Sequence, residues 1–202
     1  MQVFIIGTDT GVGKTLICSW LCLKTGYDYY KPIQTGPERD TAAVLDIAGV
    51  QVHMESYYYK TPVSPHLAAA IEQVEIDISN IQVPDSANLI IEGSGGVLVP
   101  LNRTQFIIDL VRRVGLPVIL VASSRLGTIN HTLLTLEALR ARHVNVLGVI
   151  INGPLNQGNA DAISYYGGVE VLAQFDFIDN VNRYKIGTVM LTPSLQHIFQ
   201  QQ

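Results

Sequence analysis

Val3–Thr15 reads VFIIGTDTGVGKT. Its first four residues are apolar in succession, three of them β-branched, without the alternation of a half-exposed strand. That predicts a strand covered on both faces. A Gly-rich turn follows, and a helix opens at Gly13-Lys14-Thr15. The backbone N–H groups of such a turn converge on one point, and the helix N-terminus adds positive potential there. A lysine at that end opposes the helix dipole unless an anion lies between them. The stretch is therefore a candidate phosphate loop. Lys14 is expected to reach the β- and γ-phosphates of a nucleotide, and Thr15 to offer its hydroxyl to Mg²⁺. The strict pattern GxxxxGK[ST] asks for glycine at position 8, which is Thr8; Gly7 stands one residue early. The competing reading is a glycine turn beside an idle lysine, and the strand–turn–helix context weighs against it.

Further apolar runs lie at Leu89–Ile91, Val118–Val121 and Val146–Ile151, with a shorter candidate strand at Tyr27–Tyr30. Between them the pattern predicts helices at Gly13–Lys24, Asp40–Ala48, Phe106–Val114 and Thr128–Arg142. Ser64-Pro65 opens another, with Ser64 as cap and Pro65 at the first helical position. Thr192–Gln202 is expected to be the last helix. Strand–helix alternation implies right-handed crossovers. The expected class is α/β: one P-loop-type domain over residues 1–202, an open, mainly parallel sheet with helices on both faces. No repeat, low-complexity tract or linker interrupts it.

The chain has 202 residues, enough to bury a substantial core. Charged residues are 15 %, against about 25 % in a typical soluble domain, and hydrophobic residues are 48 %. That excludes a disordered chain, and fits either a thick parallel sheet or apolar surface hidden in an oligomer. Net charge is 13 − 17 = −4 with no basic block, so nucleic acid is not an expected partner. No apolar run suffices to span a bilayer, and the opening MQVFIIGTD lacks signal-peptide features. Cys18 and Cys22 share one face of the first helix and read as core thiols in a reducing cytoplasm.

Three other segments carry polar residues at strand ends. In LIIEGSGG (89–96), Glu92 ends a buried strand where open α/β sheets bind ligands, and could hold Mg²⁺ directly or through water. The alternative is a solvated carboxylate in a turn. YKPIQTG (30–36), followed by Asp40, contains Lys31, whose plain alternative is a solvated side chain. In VIING (149–153), Asn152 could read a base through its paired donor and acceptor, or simply make an Asn-Gly turn.

Taken together, these segments resemble the dethiobiotin synthetase family, ATP-dependent enzymes of biotin synthesis. GTDTGVGKT (7–15) is similar to the family's loop GTDTxVGKT. YKPIQTG (30–36), SPH (64–66), EGSGG (92–96), LGTINHTLLT (126–135) and IING (150–153) follow in family order. The resemblance implies that 7,8-diaminopelargonic acid takes up CO₂ as a carbamate. ATP phosphorylates the carbamate, and the second amine closes the ring. It also implies the roles of residues. Gly11, Val12, Gly13, Lys14 and Thr15 hold the nucleotide, with Asn152 at the base. Lys14 and Lys31 are catalytic, flanking carbamate and γ-phosphate. Thr10 and Thr35 bond the carbamate region, and Thr15, Asp40 and Glu92 arrange Mg²⁺. The family works as a homodimer with shared sites. The substrate carboxylate lies at the partner's helix start, at Thr128 and Asn130.

This chain departs from the family pattern in four places, one of them the helix before Leu89, reduced to ISNIQVPDS (78–86). The segment between Thr35 and Asp40 is short, and Arg125 stands where members often have lysine. After Asn152, VLAQFDFI (171–178) lacks the usual Leu-Gly-x-Ile-Pro turn, which leaves base preference open. A partition- or septum-type ATPase is the main rival. Its loop KGGxGKT carries an extra lysine, where this chain has Asp9. A small-molecule kinase is the second. His66 reads as a capping or supporting residue and His131 as structural. If Tyr57–Tyr59 form a strand, at least one of the three is buried.

Overall fold

The computed structural model describes residues 1–200. Nine strands and eight α-helices follow one another: β1 (Gln2–Gly7), α1 (Lys14–Thr25), β2 (Asp28–Tyr30), β3 (Ile33–Thr35), α2 (Asp40–Ala48), β4 (Val52–His53), β5 (Tyr57–Tyr59), α3 (Pro65–Ile71), β6 (Leu89–Gly96), α4 (Ile107–Val114), β7 (Val118–Ser123), α5 (Thr128–Arg140), β8 (Val146–Asn152), α6 (Gln157–Gly167), β9 (Val171–Phe175), α7 (Arg183–Thr188) and α8 (Pro193–Gln200). The main sheet has seven strands in the order β4-β2-β6-β1-β7-β8-β9, every pair parallel. A separate parallel pair, β3 and β5, stands beside it.

The unbroken apolar runs have a direct cause. Successive side chains of a strand point to opposite faces, and here both faces are core. Val3 and Ile5 pack with α1, α2, α7 and α8. Phe4 and Ile6 pack with α3, α4, α5 and α6. β6, β7 and β8 divide in the same way. The expected class, a single α/β domain with helices on both faces, is the one observed. Cys18 and Cys22 are buried free thiols on α1, and Tyr59 is the buried member of the tyrosine triplet.

Boundaries shift modestly. The Tyr27–Tyr30 strand loses Tyr27, which sits after the C-cap Gly26. The fifth helix ends at Arg140, two residues early, because His143 turns into the left-handed region. The expected tail helix is present over Pro193–Gln200, and positions 201 and 202 lie outside the described residues. The strands β3, β4 and β9 and the helices α6 and α7 were not expected. α6, QGNADAISYYG, has poor helix propensity. It is set instead by Asn156, which caps the Asn159 amide, and by packing on α5.

Because the main strands are parallel, all their carboxyl ends reach one edge. That edge presents the β1–α1 loop beside Glu92 and Asn152, with Lys31 immediately after β2.

Candidate active site

The β1–α1 loop is shaped for close approach. Gly13 caps α1 at φ 94°, with no side chain bonding the first helical amides. A Cβ there would lie 2.1 Å from Asn152 Nδ2. Asn152 donates that Nδ2 to the Val12 carbonyl at 3.0 Å, so β8 braces the loop from behind. Two carbonyl oxygens would repel, so the amide nitrogen must face Val12. The Asn152 side-chain oxygen and its second N–H are left for a base. Val12 itself is buried.

Lys14 is 6 % exposed and bends over the loop, donating to Asp9 O at 3.0 Å. Burial pushes its ammonium below the ordinary value; nearby Lys31 adds to this, and Glu92 offsets part of it. Thr15 donates its hydroxyl to Glu92 Oε1 at 3.0 Å.

Glu92 is the hub. It is 1 % exposed, which rules out the solvated-turn reading. Lys31 Nζ lies 3.0 Å from Oε1, and the Tyr29 hydroxyl donates to Oε2 at 2.8 Å. Burial alone would raise its carboxyl, but the charges of Lys31 and Lys14 and these hydrogen bonds hold it below the usual range. Lys31 also bonds Asp40 Oδ2. Burial opposes its charge, yet Glu92 and Asp40 together lift Lys31 above its ordinary value. Lys31 is therefore a buried cation between two carboxylates, and the solvated reading fails there too.

A cavity of about 770 Å³ opens over these groups. Thr10, Gly11, Gly13, Lys14 and Thr15 line it from the loop. Lys31, Thr35, Asp40 and Glu92 line it from the facing elements. Val12 and Asn152 stand behind the loop. Thr128 and Asn130 are elsewhere, at the start of α5. Thr128 is buried with its hydroxyl unpartnered, and its amide is spent on Arg125 O at 3.0 Å. Asn130 is exposed. Ser64 stands at the N-cap position of α3, but its hydroxyl bonds no helical amide and meets His66 Nδ1 at 3.2 Å instead, so the expected side-chain cap is not made.

Among the described residues no three His, Cys, Asp or Glu side chains form a metal cage. The Thr15 hydroxyl and the Glu92 and Asp40 carboxylates make a smaller, all-oxygen donor set. That set suits Mg²⁺, which is usually held by one or two carboxylates plus phosphate and water.

Sequence reasoning missed Tyr29, Gln34 and Glu55. A tyrosine inside a doubly buried strand needs a partner for its hydroxyl, and that was a usable signal. Gln34 and Glu55 gave none.

A strand–loop–helix phosphate cradle at the carboxyl edge of a parallel sheet defines a P-loop nucleotide-binding protein. A family model described as an AAA domain matches residues 1–185. The ParA family ATPase from Chlorobium tepidum TLS superposes with a TM-score of 0.57, covering 99 % of this chain and 92 % of its own, at 10 % identity. That likeness speaks to the fold alone.

Sequence relatives are more particular. The ATP-dependent dethiobiotin synthetase BioD of Lawsonia intracellularis (strain PHE/MN1-00) is 52 % identical, covering 98 % of this chain and 99 % of its own. That of Neorickettsia sennetsu (strain ATCC VR-367 / Miyayama) is 38 % identical over 99 % and 96 %. The chain belongs to the ATP-dependent dethiobiotin synthetase family.

Proposed function

We propose that this chain closes the ureido ring of dethiobiotin from 7,8-diaminopelargonic acid, CO₂ and ATP. One observation carries the reading in chemical terms. Two buried lysines, Lys14 and Lys31, line one cavity around the buried Glu92. An anion attacking an anion needs that concentration of fixed positive charge.

One substrate amine adds to CO₂ and loses a proton, giving a carbamate. Thr10 and Thr35 bond the carbamate region, and Lys31 neutralises it. Lys14 and the amides of Gly11, Val12 and Gly13 hold the phosphates. A carbamate oxygen attacks the γ-phosphorus and ADP leaves. The second amine then attacks the carbonyl carbon, loses its proton and expels phosphate. Thr15, Asp40 and Glu92 would hold Mg²⁺, which supplies charge neutralisation on the phosphates. The Asn152 oxygen accepts from the exocyclic amine of adenine, and its remaining N–H donates to a ring nitrogen of the base. The substrate carboxylate goes to Thr128 and Asn130 of a second copy, so the working unit is a homodimer. Among the described residues no helix is long and apolar enough to cross a membrane, and the cytoplasm is the proposed compartment.

The Asp9 position weighs against the partition-type switch, since a carboxylate cannot neutralise phosphate. The test is ATP consumption by the purified protein with Mg²⁺, diamine and bicarbonate. One cyclic urea should form per ADP and phosphate released. ATP hydrolysis indifferent to the diamine, or a stable phosphorylated product, would overturn the reading.

A further inference from the structure

Asp40 enters the cavity from the first residue of α2, at the end of the short 35–40 loop. That helix start is capped unusually. Arg39, the capping residue, has an extended backbone and makes no side-chain cap bond. The first helical amide, Asp40 N–H, donates instead to Gln34 Oε1 at 3.2 Å, reaching outside the helix. Gln34 is itself buried, and its Nε2 donates to Thr35 O at 2.8 Å and Glu38 O at 3.2 Å. One side-chain amide thus closes the loop at both ends.

The residues on either side of Asp40 are held by a second group. Thr41 donates its hydroxyl to Glu55 Oε1 at 2.7 Å. Arg39 Nη1 lies 3.5 Å from Glu55 Oε2, with its guanidinium 4.0 Å above the Tyr58 ring. The Glu55 side chain is 1 % exposed although it sits between two very short strands. A buried carboxylate is costly unless it is paired and hydrogen-bonded. Among the described residues, Glu55 meets both conditions through the two neighbours of Asp40, Thr41 and Arg39.

We propose that Glu55, with Gln34, is a positioning residue that aims the Asp40 carboxylate at Lys31. Neither contacts the Asp40 carboxylate; they fix the backbone on which it is carried. The proposal rests on the reading of Asp40 as part of the working site. Misplacing a group by about 1 Å can cost up to roughly 100-fold in rate, so a latch of this kind acts on turnover more than on nucleotide binding.

The variants are Glu55→Ala and the milder Thr41→Val, which keeps the side-chain shape and removes one bond to Glu55. Each is combined with Asp40→Asn. Glu55→Ala should lower kcat by roughly 10- to 100-fold with KM for ATP unchanged. Thr41→Val should lower it by less. In the Asp40→Asn background both should change kcat by less than about twofold, because groups acting through one residue are not additive. A crystal structure of either variant should show the Asp40 carboxylate more than about 4 Å from Lys31 Nζ, past the ion-pair limit. Equal losses in both backgrounds, or Asp40 still paired with Lys31 in the variant structures, would overturn the inference. A wild-type chain that makes no cyclic urea would overturn the functional reading instead, and the position of Asp40 in the variants would still decide the latch.

Discussion

Lys14 and Lys31 are both buried, yet their charges stand in opposite balance. Lys31 is held above its ordinary 10.5 because Glu92 and Asp40 outweigh burial. Its contribution to stability is complete below 10.5 and is lost as pH rises through the raised value. Lys14 is held below 10.5 by burial, so its charged form opposes folding, and that opposition fades as pH rises through the lowered value. The two truncations should therefore differ. Lys14→Ala should cost turnover about 3–4 kcal/mol, roughly 10²–10³ in rate, while the denaturation midpoint of the nucleotide-free protein does not fall. Near-normal turnover in a folded variant would remove the phosphate loop from the mechanism. Lys31→Gln strands a buried carboxylate, and breaking such a pair costs about 3–5 kcal/mol. Denaturant titration should read that loss, and calorimetry should find ATP affinity nearly unchanged. If ATP binding collapses instead, Lys31 belongs to the nucleotide. A phosphate beside Lys14 restores its charge, so ATP binding near the lowered value should take up protons. Calorimetry in buffers of different ionisation enthalpy measures this, and no uptake at any alkaline pH would contradict the assignment.

At the scale of elements, what could be read was what is local. β1, its loop and α1 are contiguous, so thirteen residues carry the apolar run, the turn glycines and the lysine together. The sheet followed because β6, β7 and β8 repeat the doubly buried pattern. The network around Glu92 is different in kind. Tyr29 and Glu92 lie 63 residues apart, and only the pairing of β2 with β6 brings them together. Gln34 and Glu55 act across a loop whose path no periodicity encodes. α6 was hidden because contact with α5 overrides its weak propensity. The loop's dependence on a single backbone geometry can be tested at Gly13. Alanine there meets φ 94° and a clash with Asn152 Nδ2. Forced left-handed backbone costs about 1–3 kcal/mol, and the displaced amides lose their aim. Gly13→Ala should lower stability by that amount in denaturant titration and weaken ATP binding. Gly13→Ala/Asn152→Ala, which removes the clash, should recover only part, because the backbone strain remains. Full recovery would show that the clash alone mattered.

For the whole molecule, the question is where the far end of a long substrate goes. The main cavity ends at the loop and carries no group from α5. A second cavity of about 430 Å³ lies beyond, between the end of β6 and α5. Apolar side chains stand exposed along it, among them Leu98 and Leu134. Thr128 carries an unpartnered buried hydroxyl at the start of the same helix. The proposed homodimer would seat its second copy on this face, where these apolar side chains are exposed. In a two-fold dimer each copy offers the same patch to the other, and each substrate tail can then reach the partner's α5. Thr128 packs inside the protein, so the exposed Asn130 is the cleaner place for a blocking substitution. Lys14→Ala and Asn130→Trp should each inactivate the homodimer. When the two variants are co-expressed and the mixed dimer is isolated by two tags, shared sites place both lesions in one site and leave the other intact. About half of wild-type activity should return from two dead parents. If each site is built from one chain, every site in the mixed dimer carries a lesion. Proven mixed dimers without recovered activity would then reject the shared site.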